Sequence, residues 1–328
     1  MPEANPYPVP EARPEVTRLA PSPTGALHLG NARTFLVNWA IARRSGWRIV
    51  LRIEDLDGPR IKPGVTQLTI DLLRWLGLDW DVGPIIQSAD LAPYHSAMKI
   101  LAARGRVYPS DLSRTAIEAA ASAPQDGSGE SFFAAHLRPA AMPNTFENSE
   151  TSWRFATPPG SVSFIDGFAG PRAETPSQTI GDFVVWTKRN SPAYQLAVVV
   201  DDARQGITRI VRGNDLLDSA ARQLLLYRGL GLTPEPTYTH LPLIVGTDGR
   251  RLAKRHGDTR LDTFRLRGVT PKRVIGLMAV WCGVTETPEE MDAEQFRARF
   301  SLSTIPRENV VFTAENEQWL LRHAVQSP

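Results

Sequence analysis

Apolar positions along this chain change their period several times, and the changes outline alternating strands and helices. The β-branched run "VTRLA", Val16 to Ala20, has the character of a buried strand. From Asn31 to Arg44, residues Ala32, Phe35, Leu36, Trp39 and Ala40 recur at helical spacing on one face. Arg43 and Arg44 suit the negative end of that helix, and Gly46 is its expected stop. "WRIVLRIED" then reads as a second strand, Gly58-Pro59 as a turn, and "VTQLTIDLLRWLGL" as a second helix. This order predicts an α/β fold, with parallel strands joined by helical crossovers.

The pattern breaks between Arg106 and Thr179. "ASAPQDGSGE", "RPAAMPN" and "TPPGS" are dense in turn formers around short strands at "SWRFA" and "SVSFI", which reads as an insertion into the sheet domain. Regularity returns with "DFVVWTK", "AYQLAVVVDD" and "GITRIVRG", then a helix through "DLLDSAARQLLLYRGLG" and a strand at "HLPLIVG". Near-continuous apolar runs of this kind suit central parallel strands covered on both faces. From Leu261 the chain reads as mostly helical, with Pro271 at a helix start. The expected organisation is a disordered tail over 1–15, the sheet domain in two halves over 16–105 and 181–260, an inserted subdomain over 106–180, and a helical C-terminal region over 261–328.

Composition narrows the classes. With 328 residues, 42% hydrophobic and 22% charged, the chain can bury one large core or two modest ones. Its one cysteine, Cys282, excludes a disulfide framework and a thiolate zinc site. That usage fits a cytoplasmic location. No stretch approaches the roughly 20 apolar residues needed to span a bilayer, and the proline-rich start is not a signal peptide, so no membrane role is expected. The net charge of +2 predicts no nucleic-acid partner by itself, so any RNA-binding charge must be local. Arg204, Arg209, Arg265, Arg267 and Arg273 read either as RNA-backbone contacts or as surface charge.

Two loops carry candidate chemistry. In "TRLAPSPTGALHLGNART" a strand ends at Pro21-Ser22 and a helix begins near Gly30 or Asn31, which directs unpaired backbone N–H groups toward an anion such as phosphate. Glycines allow close backbone approach there, and His28 is placed to donate to developing phosphate charge. The bland alternative is a Pro/Gly turn with a surface histidine. Downstream, "GTDGRRLAKRHGD" concentrates Arg250, Arg251, Lys254, Arg255 and His256 on a glycine-bounded loop, either to close over polyphosphate or as a solvated basic loop. Arg18, Glu54, Tyr194 and Arg212 sit at predicted strand ends, where a parallel sheet gathers its ligands.

Together these segments resemble the class I aminoacyl-tRNA synthetases of the glutamyl group. "PSPTGALHLGN" stands where that group has its HIGH signature and "RLAKR" where it has KMSKS, with "RIEDLD", "GITRIVRGNDLL" and "THLPLIV" in the same order between and around them. The resemblance implies a Rossmann-like parallel sheet with an inserted acceptor-type subdomain. It implies a ligase that joins L-glutamate to ATP, with Mg2+, and passes the glutamyl group from the adenylate to tRNA. Arg18, Leu19, Ala20, Pro21 and Ser22, with Glu54, Tyr194 and Arg212, match the glutamate-binding positions; His28, Gly30, Asn31 and Lys254 match the ATP-binding ones. His28 and Lys254 are the implied catalytic pair. Only about 70 residues follow Arg255, too few for the helical anticodon-binding domains of a full glutamyl-tRNA synthetase. The chain therefore resembles more closely the truncated branch, the glutamyl-queuosine tRNA(Asp) synthetases, whose acceptor is queuosine in the anticodon of tRNA(Asp). A monomer is expected.

Three departures from the group's pattern stand out. Asn31 replaces the last histidine of HIGH, and Ala253 replaces the serine of KMSKS. Ser110 and Leu112 in "YPSDLSR" occupy the positions of a zinc-binding cysteine pair, so no structural zinc is expected and the insertion must be held by its own packing or move. Rival readings are a catalytic body that charges tRNA(Glu), an RNA-binding module of weak activity, and an adenylyltransferase that shares only the nucleotide loop.

Overall fold

The computed structural model describes residues 14–23, 27–56, 61–112, 132–250, 252 and 259–322. The Gly58-Pro59 turn, the loop tip at Thr24 to Ala26, and the basic-loop residues Arg251 and Ala253 to Asp258, Lys254 among them, lie outside these. A seven-stranded sheet forms the centre, in the order β3 (Val82–Ile86), β2 (Arg48–Ile53), β1 (Val16–Leu19), β10 (Arg209–Gly213), β11 (Thr237–Leu241), β6 (Val162–Asp166) and β7 (Gly170–Glu174). All neighbours pair in parallel except the β6/β7 edge hairpin. A separate antiparallel sheet runs β4 (Val107–Pro109), β5 (Trp153–Phe155), β8 (Phe183–Thr187), β9 (Ser191–Pro192). No helix among the described residues is long and apolar enough to cross a membrane.

Helices cover both faces of the central sheet. On one face β2 directs Ile49, Leu51 and Ile53 into a core shared with α1 (Leu29–Ser45), α2 (Val65–Trp75) and the C-terminal helices, where Leu277, Trp281 and Phe296 are buried. On the other, Val50 and Ile210 meet α3 (Ala92–Ala103), α4 (Tyr194–Arg204) and α5 (Leu217–Leu230). Alternation along each strand sorts side chains between the two cores. The helix expected from Asn31 is α1, and it ends as expected, with Gly46 left-handed at φ 68° and Arg43 and Arg44 in its last turn. Pro271 opens a helix capped by Thr270, whose side chain accepts from the Arg273 N–H.

Four sequence expectations are corrected. "AYQLAVVVDD" is not a strand but helix α4, in which all eight residues from Gln195 to Asp202 are buried. A helix covered on all sides loses its amphipathic period, so its apolar run is indistinguishable from that of a central strand. "DFVVWTK" is β8 of the antiparallel sheet, whereas "SVSFI", read as part of the insertion, is β6 of the parallel sheet. The chain thus crosses between sheets twice within a stretch where turn signals gave no direction. Arg273, a candidate RNA contact, is 4% exposed and bonds the Leu320 carbonyl and Glu290 while stacking on Trp319. Arg265 and Arg267 are exposed, and Arg204 and Arg209 pair with Asp201 and Glu15.

The smaller sheet is tied together by Asp182. Its carboxylate accepts from Tyr108 Oη at 2.5 Å, from Arg138 Nε and Nη2 at 2.7 Å, and from the Thr157 backbone N–H at 2.8 Å. Tyr108 lies in β4 just ahead of Ser110, so this charge-assisted node holds the start of the segment in which Ser110 and Leu112 stand. Elsewhere on this sheet Phe146 packs edge to face on Trp153 and Trp186, and His95 on Trp186, with ring centroids 4.6 to 5.1 Å apart. Among the described residues no group of three or more His, Cys, Asp or Glu is placed to hold a metal.

Candidate active site

Strand order reverses its direction of growth between β1 and β10, so the chain leaves the carboxyl ends of these neighbours in opposite directions and opens a crevice. A cavity of about 470 Å3 lies there. Its lining includes Arg18, Ala20, Pro21 and Ser22 from the end of β1, His28, Gly30 and Asn31 from the start of α1, Glu54 after β2, Tyr194 at the start of α4, and Arg212 from β10. The structure therefore brings together ten of the twelve sequence-derived site residues. Leu19 is fully buried in the core beneath, and Lys254 lies outside the described residues.

Three arginines reach the same face of the sheet from adjacent strands, and they differ in how their charge is balanced. Arg52 is fully buried. Its Nη1 bonds Asp202 Oδ1 at 2.7 Å, its Nη2 bonds Glu54 Oε1 at 3.0 Å, and its Nε stands 3.9 Å from Asp201 Oδ2. Burial opposes its charge, but Asp202, Glu54 and Asp201 outweigh burial and hold the guanidinium above its ordinary value. Arg18 Nε reaches the same Asp202 Oδ1 at 3.3 Å. Asp201 Oδ2 is in turn held by Gln87 at 2.7 Å and Tyr94 at 2.8 Å. Both aspartates come from the misread helix α4, so three carboxylates compensate two guanidiniums.

Arg212 is 5% exposed, and every partner it has is neutral. Nε donates to His240 Nε2 at 2.9 Å, Nη1 to Gln223 Oε1 at 2.9 Å, and Nη2 to the Leu216 carbonyl at 3.1 Å, with the Tyr238 ring 5.1 Å beneath. No described carboxylate lies within ion-pair distance. A guanidinium has five N–H donors, so one on each terminal nitrogen is left for a ligand in the cavity. A buried, uncompensated fork of this geometry is matched by a carboxylate.

Glu54 lies at the other side of the crevice, its backbone N–H bonded to the Pro21 carbonyl at 3.0 Å. Burial pushes its carboxyl above the ordinary glutamate value despite the opposing pull of Arg52 and Arg18. A ligand ammonium placed there would favour the charged form.

The helix start also has a built geometry. His28 is the N-cap of α1, and its Nδ1 accepts from the Asn31 N–H at 3.4 Å, so the proton of the neutral ring belongs on Nε2. The ring folds over Gly30, where a Cβ would stand 3.2 Å from His28 Cε1. Glycine at 30 thus makes room for the histidine ring, a more specific role than the close ligand approach read from sequence. Leu27 and Leu29 exchange backbone bonds with Leu261 and Thr259, and His28 bridges Arg260. This ladder ties the residues just after the basic loop to the start of α1.

Sequence reasoning missed several cavity and supporting groups. Thr34, Phe35, Asp215, Leu243 and Ile244 line the cavity, Arg52, Asp202, Gln223 and His240 hold residues that do, and Asp201 stands behind Arg52. A charged residue inside an apolar run, such as Arg52 in "RIVLRI", was the available signal.

The chain matches the family described as tRNA synthetases class I (E and Q), catalytic domain, over residues 15–319. A parallel sheet with its crevice at the β1/β10 reversal is accordingly the catalytic domain of a class I tRNA synthetase, and the chain belongs to that family. Within it, the chain is similar over nearly its whole length to the glutamyl-Q tRNA(Asp) synthetase of Symbiobacterium thermophilum, 45% identical over 311 residues that cover 91% of this chain and 96% of the relative. The glutamyl-Q tRNA(Asp) synthetase of Rhodopirellula baltica is 47% identical over 272 residues, 79% of this chain and 82% of the relative. Among solved structures, a glutamate tRNA ligase from Elizabethkingia meningosepticum, crystallised in complex with its amino acid, superposes with a TM-score of 0.76 at 25% identity, covering 94% of this chain and 69% of that one.

Proposed function

We propose that this protein activates L-glutamate with ATP and transfers the glutamyl group to queuosine in the anticodon of tRNA(Asp). The observation that carries the amino-acid assignment is Arg212, a buried guanidinium facing the cavity with only neutral partners. A dianionic substrate with one ammonium fits the two arginines and Glu54. Arg18 and Arg212 take the carboxylates and Glu54 takes the α-amino group. The acceptor assignment rests on similarity over almost the full length of relatives with that named activity.

ATP, taken up as its magnesium complex, lies toward the start of α1, where the positive end of the helix dipole and the His28 ring stand nearest its phosphates, although the N–H groups of Leu29, Asn31 and Ala32 are already paired within the protein. A carboxylate oxygen of glutamate attacks the α-phosphorus and pyrophosphate leaves, giving glutamyl-adenylate. Positioning and charge neutralisation supply the acceleration, with Lys254 opposite the developing negative charge. A hydroxyl of the queuosine ring then attacks the acyl carbon, and AMP departs.

ATP–pyrophosphate exchange with glutamate in the absence of tRNA, followed by labelled-glutamate transfer to tRNA(Asp) with and without queuosine, tests the whole reading. Exchange without tRNA and transfer only to queuosine-bearing tRNA(Asp) are expected. Charging of tRNA(Glu) would replace the acceptor, and no exchange would reduce the chain to an RNA-binding module.

Glu54 gives a pH prediction. Only its ionised form attracts the substrate ammonium, and burial raises its carboxyl pKa. Affinity for glutamate should therefore decline as pH falls through a range above the ordinary value of 4.5. In a KM-versus-pH profile Glu54→Gln should raise the neutral-pH KM by about tenfold or more and abolish this decline. A parent profile that stays flat down to pH 4.5 would remove Glu54 from this role.

A further inference from the structure

The arrangement behind Arg212 has a direction built into it. Arg212 Nε–H donates to His240 Nε2 at 2.9 Å, so that nitrogen must carry no proton. The proton of the neutral imidazole is then on Nδ1, which stands 2.6 Å from Asp166 Oδ2. The other oxygen, Asp166 Oδ1, accepts three backbone N–H groups, from Phe168 at 2.9 Å, Ala169 at 2.8 Å and His240 itself at 3.1 Å. His240 and Asp166 are buried, in strands β11 and β6, and neither lines the cavity. Burial and the neighbouring Arg212 favour the neutral ring, against the pull of Asp166 and the Leu216 carbonyl.

We infer that Asp166 and His240 are positioning residues for glutamate binding: Asp166 selects the histidine tautomer that accepts from Arg212 and so aims the Arg212 fork at the substrate carboxylate. This rests on the assignment of Arg212 to glutamate. Strand register makes the line continuous, since Arg212 pairs with His240 across β10/β11, and Tyr238, two residues earlier, pairs with Asp166 across β11/β6. A carboxylate in direct contact with Arg212 would hold the guanidinium equally well, but it would compete with the substrate for the same charge. A neutral imidazole leaves the charge available, and the carboxylate that orients it stands one ring further away.

Asp166→Asn is the decisive variant because the backbone dictates how the new amide sits. Three N–H groups require its carbonyl oxygen at the Oδ1 position, which puts the NH2 group against His240 Nδ1. The histidine proton then moves to Nε2 and meets the Arg212 Nε–H donor to donor. In ATP–pyrophosphate exchange the KM for glutamate should rise by about tenfold to a hundredfold while that for ATP stays within about twofold. Ring 15N shifts of His240 should show the proton on Nδ1 in the parent and on Nε2 in Asp166→Asn. A parent ring protonated at Nε2 overturns the inference, and that reading stands even if Asp166→Asn does not fold. An unchanged glutamate KM, or equal rises for glutamate and ATP, also overturns it. Arg212→Ala separates the two levels: if it too leaves the glutamate KM unchanged, Arg212 does not bind glutamate, whereas if it raises that KM and Asp166→Asn does not, only the positioning role fails.

Discussion

Arg212→Ala should raise the KM for glutamate in pyrophosphate exchange by about a hundredfold to a thousandfold, with the KM for ATP changed by less than about threefold. The size follows from burial. The lost partner is a charged, desolvated fork, and the substrate carboxylate would be left against Gln223, His240 and the Leu216 carbonyl, which supply no positive charge. Arg212→Lys should recover little, because an ammonium cannot hold three anchors and a carboxylate in one plane. Lys254→Ala should show the complementary pattern, a large fall in kcat for adenylate formation with little change in the glutamate KM. The reverse pattern for the two positions would exchange their roles.

Arg52→Ala should destabilise the fold by about 3–5 kcal/mol, measured by urea unfolding at neutral pH. Its guanidinium is fully buried and serves Asp202, Glu54 and Asp201 together, so its removal leaves three carboxylates with Arg18 against Asp202 and the partly exposed Arg204 against Asp201. Asp201 retains its bonds from Gln87 and Tyr94, which confines the damage to Asp202 and Glu54. The deficit should shrink as pH is lowered, because the stranded carboxylates then take up protons, and Asp202→Asn added to Arg52→Ala should restore part of the loss. A variant as stable as the parent would show that the network contributes nothing net to folding. Arg212→Ala should cost less stability than Arg52→Ala, since it removes a buried charge with no counter-ion.

How far sequence reached differed by element. Helix α1 and strands β1, β2 and β10 were legible because each has one clean period and a chemical stop, such as Gly46. Helix α4 was not, since burial on every side erased its period and "AVVVDD" carries a β-branched run. The exchange of β6 and β8 between sheets was also hidden, because strand pairing is a long-range choice and both segments are short and half apolar.

The site shows the same division. Sequence by itself named the candidates for the chemistry: the proline-stiffened loop into a helix start, Glu54 at a strand end, arginines at 18 and 212, and Lys254 on a basic loop. Those assignments rest on the resemblance of these segments, in their order along the chain, to the glutamyl synthetases, and order along the chain is fixed before any folding. Tertiary structure alone decided which guanidinium is compensated and which is left for a ligand. Arg18 and Arg212 are alike in sequence context, each within an apolar strand, yet one faces Asp202 from a helix 184 residues away and the other faces a histidine, a glutamine and a carbonyl. Charge balance at a buried site is set by neighbours across the sheet, and only the folded register brings them into contact.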